Sequence, residues 1–260
     1  QRRAMATAGE FTPQDVGNVL WALSVMGNGM DRFLFDLIDR LAARVLEIRD
    51  KLTLEAKRQL HQWLLSCDLD LVSGASFPSS VSCVKQEMGE ECLQAFCGDA
   101  TRGSQLQRDV ARVLAGFPGF FARALRRAVS EVEIKEEFRD ARSGHSIDVL
   151  ARRPSRLGSA PEGPAAGWAV EVDGPTHFLG DEEGPAHFLG VRTPTGNTLL
   201  KRKQLGQLGY TVVPVPFWEW TALRGEDEKQ RYIRDKLGGG WETMSRGLSC
   251  DWSIRGEGCG

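Results

Sequence analysis

Between Gly167 and Trp220 the chain passes through an apolar strand pattern, a pair of acids, a helix with three adjacent cations and a second apolar strand pattern, in that order. The alternating run from Trp168 to Val172 closes on Glu171 and Asp173 and is followed at once by Gly174-Pro175. Strand pairing is therefore expected to stop where the charges emerge, leaving both carboxylates at a sheet edge. Thr198, Lys201, Leu205 and Leu208 then recur at helical spacing. A helix that packs its leucines on a sheet with that face also aims an ammonium group at the carboxylates, so a cation and two anions converge.

The rest of the chain supplies the frame. Its 260 residues suffice for one large or two modest domains, and 41% hydrophobic residues describe an ordinary globular composition. Mean hydropathy of -0.30 agrees. No membrane span is expected, because the longest apolar runs, such as the proline-interrupted Val212 to Trp218, fall far short of the roughly 18 residues a bilayer helix needs. The six cysteines show no metal-ligand spacing, and a chain of this size needs no disulfide staples, so Cys92 and Cys97 read as ordinary thiols in a reducing compartment. The formal charge of -2 argues against a wholesale polyanion-binding surface. The stretch from Arg102 to Arg156 is nevertheless rich in arginine, so any nucleic-acid contact is expected to be local. An opening Gln1 rather than Met points to a processed or truncated product.

Thr12 caps, Pro13 opens and Asp15 complements the first turn of an amphipathic helix over Thr12 to Met26, stopped at Gly27. A second helix is expected from Asp31 to Ile48, and a third over residues 52–69. Laying Phe11 on Leu52 and Thr12 on Thr53 gives an offset of 41 residues, the size of one helix-pair unit of an α-solenoid. Residues 72–103 dissolve into Ser, Gly, Cys and scattered acids, with a weak helical run at Ser82 to Phe96, and read as a linker. From Ser104 onward the order is α, β, β, β, α, β, α, with strands at 129–138 and 145–151, a Pro/Gly/Ala-rich loop at Pro154 to Gly167 and a last helix at Glu226 to Leu237. Trp218 and Trp220 are expected to share one face of the final strand. The tail from Gly238 to Gly260, with Trp241 and Trp252, is expected to drape on a surface or partner.

Three segments together, EVDGPTHF at Glu171 to Phe178, PTGNTLLKRKQL at Pro194 to Leu205 and the strand Gly209 to Trp220 ending in WEW, resemble the RAP domain, an RNA-binding domain abundant in apicomplexans. QDVGNVLWALSVMG is similar to the octotricopeptide and related repeats that precede RAP domains in organellar RNA-binding proteins. The resemblance implies an α+β protein: an N-terminal α-helical repeat fragment, then a restriction-endonuclease-like α/β domain with a central mixed sheet, related to the PD-(D/E)XK and very-short-patch-repair endonucleases. The expected division is 1–71 for the solenoid end, 72–103 for the linker, 104–237 for the RAP domain and 238–260 for the tail. Such a fold does not itself imply cleavage.

Asp148 and Glu171 match the two acidic positions of the nuclease fold and could hold Mg²⁺. Where those enzymes usually carry a lysine two residues after the glutamate, this chain has Asp173, and Lys201 could substitute from the helix. An alternative for the same residues is an internal ion-pair network, in which Lys201 balances Asp148 and Glu171 while Asp173 caps the following turn. A third reading makes the cleft an RNA site in which His177, Phe178, Thr198 and the Lys201-Arg202-Lys203 run contact phosphate and stack on unpaired bases. GPTHFLG at 174–180 recurs as GPAHFLG at 184–190, so His187 competes with His177 for the family position. The favoured reading is a non-catalytic protein with no cofactor that binds organellar rRNA or mRNA beside other proteins of a ribonucleoprotein, such as a mitochondrial ribosome. Mitochondrial placement is expected, with the plastid as alternative. The rivals are a metal-dependent endoribonuclease using Mg²⁺ and a purely protein-binding subunit.

Overall fold

The computed structural model describes residues 8–27, 32–72, 74–98, 103–116, 133–152, 167–179 and 192–244. Four helices come first: α1 (Pro13–Met26), α2 (Arg32–Glu47), α3 (Leu54–Val72) and α4 (Ser79–Cys97). Thr12 starts α1 with a reciprocal cap: its hydroxyl accepts the Asp15 N–H at 3.2 Å and the Asp15 carboxylate accepts the Thr12 N–H at 3.0 Å. Thr53 caps α3 in the same position, accepting the Ala56 N–H at 3.1 Å. One apolar core joins all four helices, built on Val16, Leu20, Leu41, Leu60, Trp63 and Met88.

The stretch expected to be a linker thus contributes a helix. Its buried face, Val81, Val84, Met88 and Cys92, recurs at three- and four-residue spacing. The weak helical run read at Ser82 to Phe96 lies inside this helix; cysteine and valine score poorly as helix formers, which weakened the pattern, but packing on α2 and α3 decides the matter. Burial pushes the Cys92 thiol up to about 11, as befits an inert core thiol.

The second half has α5 (Gln105–Ala115), strands β1 (Glu133–Arg139), β2 (Ser146–Arg152) and β3 (Gly167–Asp173), helix α6 (Gly196–Gln207), strand β4 (Tyr210–Pro216), a one-turn α7 (Phe217–Thr221) and α8 (Glu226–Met244). The expected element order holds, and the whole is α+β. The sheet runs β1-β2-β3-β4, antiparallel except for the parallel β3/β4 pair that α6 connects. Strand alternation sends Val170, Val172, Val213 and Val215 to the face covered by α5 and α8. It sends Ala169, Glu171 and Asp173 to the face covered by α6, whose Leu205 is fully buried there.

Several expectations change. β3 is an interior strand, and its pairing continues through Asp173 opposite Pro216, so the carboxylates lie inside the fold and not at a sheet edge. Pro214 and Pro216 sit on the outer strand β4, whose open side needs no N–H. The chain leaves that strand as a helical turn, which parts the two tryptophans expected on one face: Trp220 joins the core while Trp218 is half-buried at the rim. Helix α8 continues past Leu237 through the glycines that predicted its stop. Residues 129–132, the loop before Gly167, His187 and the tail from 245 lie outside the described residues.

The two halves meet over a polar seam. Gln204 of α6 is 0% exposed, and its amide donates to the Gln62 carbonyl at 2.7 Å and the Ser66 hydroxyl at 2.8 Å on α3. Its carbonyl oxygen accepts from His145 Nε2 at 2.7 Å. His61 Nε2 donates to the Ser143 carbonyl at 2.7 Å in the β1–β2 turn. Burial lowers the pKa of both imidazoles, His145 to about 4, so both stay neutral. At the same seam Trp21 of α1 would come within 2.8 Å of a Cβ at Gly196, which explains the glycine of the PTGNT run. Gln204→Ala leaves three buried groups unpaired, each worth about 1 kcal/mol or more. A loss of about 3 kcal/mol in urea unfolding is expected, and an unchanged midpoint would show that the seam contributes nothing.

Candidate functional site

Three acids and three bases meet where α6 crosses the ends of β2 and β3. Thr195 starts α6, its hydroxyl accepting the Thr198 N–H at 3.4 Å, and the Thr198 hydroxyl donates to the His177 carbonyl at 3.1 Å. That anchor fixes the rotation of α6 over β3, and the helical period then points Lys201 and Arg202 down onto the sheet. Lys201 Nζ donates to Glu171 Oε2, and Arg202 donates to Asp173 Oδ2. His177 Nδ1 lies 3.2 Å from the other Asp173 oxygen. Asp148 Oδ2 accepts the Val172 N–H at 2.7 Å. Glu171 and Asp173 are only 2% and 1% exposed, so their charges depend on these partners.

The electrostatics follow from burial. Removal from water pushes the Glu171 carboxyl up to about 7; Lys201 opposes this and the nearby Asp148 adds to it. Burial raises Asp148 as well, against Lys201 and the Val172 N–H. Burial works against the Lys201 ammonium, but Glu171 and Asp148 outweigh it and hold its pKa above the usual lysine value. The hydrogen bond to Asp173 raises His177 despite burial. Glu171 Oε1 has no hydrogen-bond partner among the described residues.

Residues 170–236 match the family model of the RAP domain. The chain carries a RAP domain. The match covers β3 from Val170, α6, β4, α7 and most of α8, and therefore the acid–base cluster except Asp148. A RAP domain suggests an RNA-binding role. Among the described residues no helix is long and apolar enough to cross a membrane.

A Mg²⁺ ion demands near-octahedral oxygen ligands at about 2.0–2.1 Å. Here the Lys201 ammonium holds Glu171 Oε2 and a backbone N–H holds Asp148 Oδ2, while Asp173 carries Arg202 and His177, so a cation at the unpartnered Glu171 Oε1 would lie beside the Lys201 charge. Among the described residues no three His, Cys, Asp or Glu are arranged to hold a metal. These donors do not fit a resident Mg²⁺. Asp173 does not cap the following turn as expected, since Arg202 and His177 take its oxygens instead. Phe178 is buried and packs edge-on against Trp218 with ring centroids 4.5 Å apart. Lys203 is half-buried beside α3, where its charge acts on the Cys67 thiol.

Sequence reasoning missed Glu137, Gln107 and Gln204. Glu137 has φ of 50°, an unusual conformation for a residue with a side chain, and adds its negative charge to the environment of Asp148. Gln107, which caps α5 with Ser104, also donates to Glu137 and to the Asp148 carbonyl, both at 2.8 Å. Nothing in the local pattern marks Glu137. Gln204 was detectable as a polar residue on the leucine face of the RAP helix, one position before Leu205.

Two outcomes are expected. Lys201→Ala strands a buried carboxylate pair and should cost about 3 kcal/mol in chemical unfolding; a change below about 1 kcal/mol would mean the pair is effectively solvated. Because the folded-state pKa of Glu171 is raised, its contribution is fully present below the ordinary 4.5 and lost as pH rises to about 7. Relative to Glu171→Gln, the wild type should lose stability across that window and stay level above it. Parallel stability–pH curves for the two proteins would contradict the assignment.

Proposed function

We propose that this chain is a non-catalytic RNA-binding subunit of an organellar ribonucleoprotein, in which the end of a helical array is locked onto a RAP domain. The observation that carries the reading is the ion pairing beneath α6. A nuclease site of this fold needs its acids free for a metal and a water. In this chain Glu171, at one of those positions, neutralises Lys201, and Asp173, at the usual lysine position, neutralises Arg202, a structural use of charge that suits a scaffold. The RAP match supports RNA as the ligand.

Support for a repeat array comes from the paired caps: Thr12 and Thr53 start successive outer helices, and Gln59 of the second donates to Asn18 of the first at 2.9 Å. A place within a larger assembly such as a mitochondrial ribosome is part of the same proposal. The mitochondrial setting rests on resemblance to organellar RAP proteins.

The test uses the purified full chain with labelled single-stranded RNA, with and without Mg²⁺ or Mn²⁺. Binding that weakens linearly in log–log salt plots, with RNA recovered intact, is expected. Cleavage that disappears in Asp148→Ala would overturn the non-catalytic assignment, and absence of binding at low salt would overturn the RNA assignment.

A further inference from the structure

Lys201 and Arg202 of α6 are committed to buried acids, which leaves open where an RNA chain would touch this domain. Asp173 ends β3 beside Pro216 at the end of β4. Beyond those ends the chain makes a turn at Pro175–His177, and Phe178 bridges to Pro194, with the Leu179 N–H donating to the Thr193 carbonyl at 2.8 Å. This small ladder carries Arg192 across the start of α7. Its guanidinium lies 5.2 Å from the Phe217 ring centre and 4.9 Å from that of Trp218. Trp218 is itself braced edge-on by Phe178 at 4.5 Å and by Phe217 at 5.3 Å.

Arg192 is exposed, and among the described residues no carboxylate pairs with it. It is thus unlike Arg202 one helix away, whose charge is spent on Asp173. Leu179 beside it is 54% exposed, and His177, its pKa raised by Asp173, borders the same rim. The site lies at the carboxyl ends of the parallel strands β3 and β4, the position where open α/β sheets take their ligands. A planar cation that lies over aromatic rings and is exposed keeps a face open to solvent. That face suits a flat π-system linked to negative charge, which is what an unpaired nucleotide offers and a base inside a duplex does not.

We propose that the Arg192–Phe217–Trp218 rim is the RNA contact of this domain, with an unpaired base stacking on Arg192 and Trp218 and an adjacent phosphate meeting the guanidinium. The inference rests on the RNA-binding reading and deepens it by naming the surface and the single-stranded class of ligand.

The test measures fluorescence anisotropy of a labelled single-stranded RNA of roughly 12 nucleotides with the full chain. The variants are Arg192→Gln, Trp218→Leu and Trp218→Phe, each checked for folding by thermal unfolding. Loss of one stacked base predicts binding weaker by about tenfold in Trp218→Leu, with the salt slope unchanged. Arg192→Gln should weaken binding and lower the slope by about one, because one phosphate contact is lost. Trp218→Phe, which keeps a π face, should restore most of the loss. A perfect duplex should compete poorly with the single strand. Wild-type binding with both Arg192→Gln and Trp218→Leu at full affinity would overturn the rim as the contact while leaving RNA binding intact, and absence of binding by the wild type would overturn both readings. If Trp218→Leu fails to fold, the exposed Arg192→Gln decides alone through its affinity and slope.

Discussion

The pairing of Lys201 with Glu171 and of Arg202 with Asp173 is the constraint around which the RAP domain is arranged. It connects the interior strand of the sheet to the crossover helix through carboxylates that water barely reaches and cations that are partly covered. Each acid alone would be intolerable there, and each base alone would be displaced outward. Together they fix where α6 lies along β3, and the Thr195 cap and the Thr198 bond to His177 fix its rotation. A helix held in both respects can present Gln204 on its far side, where the seam with α3 requires a single amide in one orientation.

That seam makes the helical half and the RAP half one body. Its groups are polar, but almost none is wet, and a buried amide whose partners lie on two different units tolerates no sliding between them. His61 and His145 reinforce this because both are kept neutral and both donate to fixed oxygens. The close approach of Trp21 to Gly196 adds a steric lock at the first turn of the same helix. The helix that compensates the buried acids is therefore also the one that holds the helical half.

Where a local pattern coincided with the buried contact, the sequence was readable. Strand alternation through Glu171 and Asp173 and helical spacing through Thr198, Lys201 and Leu205 were enough to bring a cation onto the acids, because period-two and period-3.6 patterns are geometry in themselves. The convergence of Asp148 on the same cluster also followed, since it lies on the neighbouring antiparallel strand. Burial depth did not follow: Gly174-Pro175 looked like the end of pairing, yet β4 continues alongside, and only the parallel register of β3 and β4 shows this. The helix Ser79–Cys97 showed only as a weak run at Ser82 to Phe96 within an expected linker, because its residues have weak helical preference and take their order from neighbours. Arg202 was mistaken for a surface cation because three adjacent bases carry no record of which one turns inward. Glu137 was invisible, as its left-handed backbone is a property of the folded sheet and of Gln107 above it.

A chain of slight negative charge that meets RNA as proposed has little long-range attraction to draw on. A net charge of -2 offers no long-range attraction to a polyanion, so affinity has to come from a small surface on which charge is locally uncompensated and apolar faces are available. Burying acids under α6 removes two cations from that surface together with the acids that would otherwise repel phosphate. What remains outside, at the ends of β3 and β4, is an arginine lying on aromatic rings with no carboxylate partner among the described residues. The same ion pairs that leave the cleft acids poorly suited to a metal thus keep Glu171 and Asp173 beneath α6 and away from the rim proposed to meet RNA.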